Sequence, residues 1–364
     1  MPRVRVLIAD DSQLARAMLR SFLEAEPDME VIGEASNGRE AVELTRALKP
    51  DIVTMDLEMP VMGGLEAIAT IMCSKAVPIL VISAHADARN ALEALGHGAL
   101  EVLGKPDCTQ EAAEDFIAKV RLLAGVTVIT RLRKAAKQGG LAVVPAGPSA
   151  TARLSAPPSA GPASYPRVFA IASSTGGPQA LVQILTGLPS SFSCPVLIAQ
   201  HISDGFVGGM VEWLGGLCRL PVRLAAEGDL LQAGVIYISP SERHFSVTQS
   251  GHIALLARGP RDVFRPSCDV LLNAVANVFG RQAIGIILTG MSSDGALGLA
   301  RIREVGGVTL AQNEATSVVY GMNRVAIESG AVQQILPIQA IAQTMVRLAG
   351  TLPVPTTAGA AGGS

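Results

Sequence analysis

The sequence predicts an α/β protein built from two domains, each around a parallel sheet. Short runs of β-branched residues alternate with longer amphipathic stretches, which is typical of parallel strands joined by helices. The length of 364 residues exceeds the ~150 residues of one average domain. A segment rich in Ala, Pro, Gly and Ser separates two such regions. We therefore expect domains at 1–124 and 166–350, a flexible linker at 125–165 and a disordered tail at 351–364.

The first domain contains five apolar runs separated by helical patterns. The runs are Val4–Ala9, Val31–Glu34, Ile52–Met55, Ile79–Ser83 and Leu100–Leu103. A last helix is expected at about 109–123. Five strands alternating with five helices predict a flavodoxin-like doubly wound fold, in which functional sites lie at the carboxyl ends of the strands.

The second domain repeats the alternation with a further set of apolar runs. These are Val168–Ala172, Val196–Ala199, Val235–Ile238, Ile284–Leu288 and Val308–Ala311. Shorter apolar pieces around Ser246 and Ile253 indicate a hairpin. We expect a largely parallel α/β domain with a small antiparallel hairpin.

Composition excludes several functional classes. The net charge is −2, and residues 1–124 are acidic, with 12 Lys and Arg against 20 Asp and Glu. With only 3% aromatic residues, a nucleic-acid partner is not expected. The five cysteines show no CxxC spacing and predict neither a zinc site nor a disulfide framework. There is no signal-peptide pattern and no apolar run of ~18 residues, so we expect a cytoplasmic protein without membrane insertion.

Polar side chains follow the strands of the first domain at the edge where sites form. Asp10 and Asp11 end the first strand, Asp56 the third and Ser83 the fourth, while Lys105 follows the fifth. Converging carboxylates repel unless a cation lies between them, and such oxygen ligands favour Mg²⁺. A carboxylate between a metal ion and an ammonium group is a plausible phosphoryl acceptor, and a nearby hydroxyl can bind a phosphoryl oxygen.

The second domain offers a candidate nucleophile where its first strand ends. The segment SSTGGP at 173–178 leads into a helical pattern, so a serine hydroxyl would lie above a helix N-terminus, where backbone N–H groups favour an oxyanion. Taken alone, the segment could equally be a helix cap or a phosphate loop. His201 follows the next strand and is favoured as the base over His244, which opens a short strand.

The sequence offers three carboxylates that could orient this base. Asp294 follows a strongly apolar strand and is the best candidate, because it too lies at a carboxyl end. Asp204 is closer to His201 in sequence and competes with Asp294 for this role, whereas Asp269 lies in a helical pattern. Geometry and roles define a triad, and the order of its members along the chain does not.

Residues 1–124 resemble the receiver domain of two-component response regulators. The matching motifs are LIADDS (7–12), TMDLEMP (54–60), VISA (81–84) and GKP (104–106). The resemblance implies that a histidine kinase acts as phosphodonor, with Asp56 as the phosphoacceptor. It also implies Mg²⁺ ligands at Asp10, Asp11 and Asp56, and switch residues at Ser83 and Lys105.

This first domain departs from the receiver pattern at one position. Receivers usually carry Tyr or Phe three residues before the conserved lysine, and this chain has Val102 there.

Residues 166–350 are similar to the catalytic domain of the chemotaxis protein-glutamate methylesterases, the CheB family. The motifs are SSTGGPQAL (173–181), QH (200–201), RPSCDVLL (265–272), ILTGMSSDGA (287–296) and AQNEATSVVYGM (311–322). The resemblance implies Ser174 as nucleophile, His201 as general base and Asp294 as orienting acid. It also implies that the backbone at Thr175 and Met291 binds the oxyanion.

The second domain departs from its family twice. Where the family often has His-Met-Pro-Pro-Gly-Phe, residues 201–206 read His-Ile-Ser-Asp-Gly-Phe and so add Asp204 near the base. Ser292 replaces a usual glycine beside the second oxyanion residue.

Together the two resemblances predict a phosphorylation-activated hydrolase. It would remove methyl esters from glutamates on chemoreceptor cytoplasmic helices, would deamidate receptor glutamine, and would need no cofactor at the esterase site. Two alternatives stay open. One is a regulator whose second domain only binds a partner or nucleic acid, with the serine as a helix cap, and the other is a related esterase acting outside chemotaxis.

Overall fold

The computed structural model describes residues 3–83, 88–126, 128, 165–259, 262 and 264–350. Most of the predicted linker and the whole predicted tail lie outside the described residues. Tyr165 is buried, and its hydroxyl donates to the carbonyl of Leu231 in the second domain.

The first domain forms a five-stranded parallel sheet in the order β2-β1-β3-β4-β5, which confirms the predicted doubly wound fold. The strands are β1 (Val4–Ala9), β2 (Met29–Ala35), β3 (Ile52–Met55), β4 (Ile79–Ser83) and β5 (Glu101–Gly104). The helices are α1 (Gln13–Glu24), α2 (Gly38–Leu48), α3 (Gly64–Ser74), α4 (Ala88–His97) and α5 (Gln110–Ala124). Every residue of β3 and β4 is buried, as expected of strands covered by helices on both faces.

The second domain holds a seven-stranded parallel sheet in the order β14-β13-β12-β6-β7-β9-β8, and a separate antiparallel hairpin of β10 and β11. The strands are β6 (Val168–Ser173), β7 (Val196–Gln200), β8 (Val222–Leu224), β9 (Ile236–Ile238), β10 (Arg243–Val247), β11 (Ile253–Ala257), β12 (Ala283–Ile287), β13 (Val308–Gln312) and β14 (Gln334–Leu336). The helices are α6 (Gly177–Leu185), α7 (Val207–Leu217), α8 (Cys268–Phe279), α9 (Ala296–Glu304), α10 (Met322–Glu328) and α11 (Ile338–Ala349). The predicted fold class and hairpin are confirmed.

The two strands that the sequence did not predict are β8 and β14. Each has three residues and lies at an edge of the sheet, where half-exposed side chains show neither a buried run nor a clear alternation.

The two domains pack together through helices. Helix α4 of the first domain lies against α6 and α7 of the second. Gln179 in α6 donates its side-chain amide to the carbonyl of Leu95 at 3.3 Å and to that of Ala99. Among the helices of the described ranges, none has the length and hydropathy needed to cross a membrane.

Candidate active site

A tight turn presents the candidate nucleophile between β6 and α6. Ser174 and Thr175 follow the strand, and Gly176 has φ +75°, a left-handed conformation that favours glycine. A Cβ atom at Gly176 would also lie 2.6 Å from Cβ of Val318. The turn therefore needs glycine for both backbone conformation and space.

The two serines of the turn have different environments. Ser173 is fully buried, and its hydroxyl donates to Oε1 of Gln200 at 2.7 Å. Ser174 is also buried, at 3% exposed, but it lines the cleft between the domains. The amide of Gln200 donates to the carbonyls of Ser174 (2.8 Å) and His201 (2.7 Å), so it ties the two strand ends together. These contacts favour Ser174 over Ser173 as a nucleophile.

His201 follows β7 and lines the same cleft. Its Nε2 lies 2.8 Å from Oδ2 of Asp294, which is 2% exposed. The competing carboxylate, Asp204, lies 3.0 Å from Nη2 of Arg258 and is half exposed. The structure therefore brings His201 together with Asp294, whereas Asp204 pairs with the arginine.

The carboxylate of Asp294 is held by the N-terminus of α8. Oδ2 accepts from the backbone N–H of Cys268 at 2.5 Å, and Oδ1 accepts from that of Asp269 at 2.9 Å and from Oγ of Ser267 at 3.0 Å. Burial alone would raise the pKa of Asp294, but the bonds from His201 and from these amides outweigh it, and the pKa is lowered. The carboxylate therefore stays ionised beside the imidazole.

The imidazole of His201 is held between two further groups. The ring of Phe264 stacks on it, with centroids 5.4 Å apart and planes inclined by 3°. Sγ of Cys268 lies 3.5 Å from Nε2. Burial raises the pKa of this thiol well above its ordinary value, so it stays protonated. Because Asp294 occupies Nε2, the nitrogen left for the cleft is Nδ1.

Ser174 and His201 line one cleft. Among the described residues, no hydrogen bond joins the Ser174 hydroxyl to the ring of His201. Catalytic hydrogen bonds are often long without substrate and shorten when the substrate binds.

Two backbone N–H groups beside the cleft of Ser174 have no acceptor in the part of the chain that the structure describes. Within the described residues, no backbone hydrogen bond uses the N–H of Thr175 or Met291, the two predicted oxyanion residues. Both residues line the cleft. A Cβ at Gly290 would lie 2.7 Å from Cβ of Ser174, so this glycine lets the two segments approach each other.

The alternative base, His244, does not line this cleft. Its Nε2 lies 2.8 Å from Asp262, and its Nδ1 accepts from the N–H of Ser267 at 3.0 Å. Both ring nitrogens are therefore engaged, which agrees with the preference for His201.

A second site lies at the carboxyl edge of the first domain's sheet. Nζ of Lys105 is 2.9 Å from Oδ2 of Asp56 and 3.0 Å from Oδ2 of Asp10. Burial raises the pKa of Asp56, and so does Asp10, while Lys105 opposes the shift. Ser83 is fully buried at the end of β4.

Three carboxylates at this edge could hold a metal ion. One oxygen each from Asp10, Asp11 and Asp56 lies within 4.8 Å of the others. This all-oxygen donor set, with one carboxylate exposed to water, fits Mg²⁺, which retains several waters.

Residues of both domains line the cleft of Ser174, whose volume is about 1210 Å³. Lys119 of α5 lies 3.3 Å from Oγ1 of Thr175 and 3.4 Å from Glu101. Arg265 beside the cleft lies 3.7 Å from Glu111 at the start of α5. The sequence motifs did not indicate these contacts.

Comparison with known proteins decides the family. Residues 169–345 match the CheB methylesterase family, and residues 6–119 match the response regulator receiver domain. Over 350 residues the chain is 53% identical to protein-glutamate methylesterase/protein-glutamine glutaminase 3 of Paramagnetospirillum magneticum, covering 96% of this chain and 97% of that one. This chain belongs to the protein-glutamate methylesterase/protein-glutamine glutaminase family. The family predicted from the motifs is thereby confirmed.

Two further relatives extend the comparison. The chain is 43% identical to protein-glutamate methylesterase/protein-glutamine glutaminase 2 of Anaeromyxobacter dehalogenans, across 95% of this chain and 97% of that one. The crystal structure of the Thermotoga maritima CheB methylesterase catalytic domain has 32% identity and a TM-score of 0.49. It covers 51% of this chain and all of that one.

Proposed function

We propose that this methylesterase-family protein hydrolyses γ-methyl esters of glutamate on chemoreceptor cytoplasmic helices, with Ser174, His201 and Asp294 as its catalytic residues. We also propose domains at 1–124 and 166–350, a linker at 125–165, a tail at 351–364 and a cytoplasmic location. The observation that carries the proposal is the 2.8 Å contact between His201 and Asp294 at strand ends beside the cleft of Ser174.

The first half of the reaction acylates the enzyme. Oγ of Ser174 attacks the ester carbonyl carbon while Nδ1 of His201 accepts the hydroxyl proton. The carbonyl oxygen becomes an oxyanion that the N–H groups of Thr175 and Met291 bind. The bond to the methoxy oxygen then breaks, the imidazolium returns its proton to that oxygen, and methanol leaves. Asp294 stabilises the imidazolium throughout.

The second half releases the enzyme. Water attacks the carbonyl carbon of the glutamyl–serine ester while Nδ1 of His201 again accepts a proton. The bond to Oγ of Ser174 then breaks, and the imidazolium returns its proton to that oxygen. The products are a free glutamate side chain and the restored serine. With glutamine as substrate, the same steps release ammonia in place of methanol.

The first domain controls access to this chemistry. Asp56 accepts a phosphoryl group from a histidine kinase, and Lys105 and Ser83 bind the phosphoryl oxygens. Asp10, Asp11 and Asp56 would hold Mg²⁺, which offsets charge on the transferring group. The unphosphorylated receiver lines the cleft. Phosphorylation therefore acts by favouring a state in which the receiver has moved away from the cleft.

Methanol release from a methylated receptor fragment tests the esterase. We expect Ser174→Ala to lose activity by at least about 10³-fold, and Ser173→Ala, which alters the neighbouring hydroxyl, to lose much less. Full activity in Ser174→Ala would refute the mechanism. Labelling with a serine-directed fluorophosphonate, mapped to Ser174, separates an esterase from a domain that only binds a partner.

The control by the receiver needs a separate measurement. Adding a small-molecule phosphodonor such as acetyl phosphate, with Mg²⁺, should raise methanol release by the wild type and leave Asp56→Asn unchanged. Equal stimulation of both proteins would exclude Asp56 as the phosphoacceptor. Comparing receptors of chemotaxis with receptors of other pathways would identify the substrate.

A further inference from the structure

The N-terminus of α8 supports the catalytic carboxylate. A helix begins with backbone N–H groups that have no partner within the helix. In α8, the N–H groups of Cys268 and Asp269 go to Asp294, and that of Val270 donates to Oγ of Ser267 at 3.4 Å. Ser267 is the N-cap residue, and its hydroxyl also donates to Asp294. The first turn of α8 therefore fixes the position of Asp294.

The N–H of Ser267 needs an acceptor from outside the helix. In a capping box, a Glu or Gln three residues after the cap supplies it, but the third residue here is Val270. The acceptor is Nδ1 of His244, at 3.0 Å. His244 lies in β10, is 5% exposed and does not line the cleft. A histidine on the hairpin thus completes the cap of α8.

Hydrogen-bond chemistry determines the tautomer of His244. A backbone N–H can only donate, so Nδ1 must carry the lone pair. The ring proton therefore resides on Nε2, which donates to Oδ2 of Asp262 at 2.8 Å. The N–H of Gly259 also donates to Asp262 and holds it in place. Asp262 thus selects the tautomer that can accept from Ser267.

We infer that His244 is a positioning residue: by accepting the N–H of Ser267, it holds the first turn of α8 against Asp294 and so sets the orientation of His201. The inference rests on the proposed function, because it assigns Asp294 and His201 their catalytic roles. Three hydrogen bonds in series connect His244 to His201, through Ser267 and Asp294.

Two substitutions separate the two ring nitrogens. In His244→Asn, the amide oxygen can take the place of Nδ1 and accept from Ser267. In His244→Gln, the longer amide reaches the place of Nε2 and can donate to Asp262 but leaves Ser267 without its acceptor. For the full-length protein, we expect the kcat of methanol release to fall about tenfold in His244→Gln, while KM stays within about twofold of the wild-type value. The His244→Asn variant should retain most of the wild-type activity.

A second measurement does not need turnover. The ring N–H between His201 and Asp294 should give a downfield proton resonance, identified by its absence in His201→Gln. We expect the resonance to shift or broaden in His244→Gln and to persist in His244→Asn. Thermal unfolding of both variants shows whether either has lost its fold.

The outcomes distinguish this inference from the proposed function. The positioning role of His244 would be overturned if both variants kept wild-type activity and an unchanged resonance, or if both lost activity equally. Methanol release by the wild type would still support the esterase in either case. If the wild type releases no methanol, the proposed function fails. The resonance then decides alone whether His244 holds the His201–Asp294 pair.

Discussion

Nε2 of His201 lies 2.8 Å from Oδ2 of Asp294, although 93 residues separate them along the chain. The two residues follow β7 and β12, which flank β6, the strand that leads to Ser174. The carboxyl ends of three adjacent parallel strands thus supply all three proposed catalytic side chains.

Replacing Asp294 by Asn should reduce kcat by about 10²–10⁴-fold. Both carboxylate oxygens of Asp294 accept hydrogen bonds from surrounding donors. In either orientation of an Asn amide, its NH₂ group would therefore face donors and could not accept from them. We also expect a stability loss of about 1–3 kcal/mol. Methanol release and urea unfolding measure the two effects. Asp204→Asn is the matched control and should stay within about twofold of wild type; a larger loss there would restore Asp204 as the orienting acid.

Replacing Lys119 by Met should raise the activity of the unphosphorylated protein. The ammonium group of Lys119 in the first domain donates to Oγ1 of Thr175 in the second. Removing this group weakens the contact between the domains, and the methionine side chain replaces the apolar stem of the lysine. A partly exposed charged contact is worth about 0.5–1 kcal/mol, or about two- to fivefold in basal rate. The phosphorylated protein should be unaffected. Lys75→Met, on an exposed residue after α3, serves as control, and an unchanged basal rate in Lys119→Met would contradict the prediction.

Thiol reactivity should follow burial. Cys73 and Cys108 are exposed, whereas Cys194 and Cys268 are buried. Burial raises the pKa of Cys218 to about 11. Because the thiolate is the reactive form, a raised pKa keeps this thiol unreactive until the pH approaches that value. At pH 8, Ellman's reagent should titrate two thiols rapidly in the native protein and five after unfolding. A third rapid thiol would contradict the burial.

Two glycine substitutions should have opposite effects. A Cβ at Gly290 would lie 2.2 Å from Sδ of Met322 and 2.7 Å from Cβ of Ser174, so Gly290→Ala should lower both activity and stability, the latter by about 1–3 kcal/mol. Gly215 lies exposed in α7 with open space around it. Gly215→Ala should therefore stabilise by about 0.5–1 kcal/mol and leave activity unchanged. Thermal unfolding and methanol release compare them.

Sequence reasoning could place the sites because parallel strands bring their carboxyl ends to one edge. Apolar runs located those ends, and with them Asp56 and the two serines of the turn after β6. They left Asp204 in competition with Asp294, and the structure pairs Asp294 with His201. The short edge strands β8 and β14 were not predicted, because three half-exposed residues show no clear alternation of apolar and polar side chains.

The supports of the site were harder to find. Two of the hydrogen bonds to Asp294 come from backbone N–H groups, which any sequence provides. A third comes from the hydroxyl of Ser267, whose only signal in the sequence is that of a helix start before an apolar run. The stacking of Phe264 on His201 and the reach of Lys119 to Thr175 depend on tertiary packing between distant segments.

Because both domains line the same cleft, substrate binding and phosphorylation of the receiver should be thermodynamically coupled. In the proposed mechanism, a receptor segment that occupies the cleft would displace the receiver, just as phosphorylation of Asp56 would. Thermodynamic reciprocity requires that each event favour the other by the same free energy. Receptors rich in methyl esters would therefore promote the phosphorylated state of the enzyme that demethylates them, and the amount of substrate would itself act as an input to the switch.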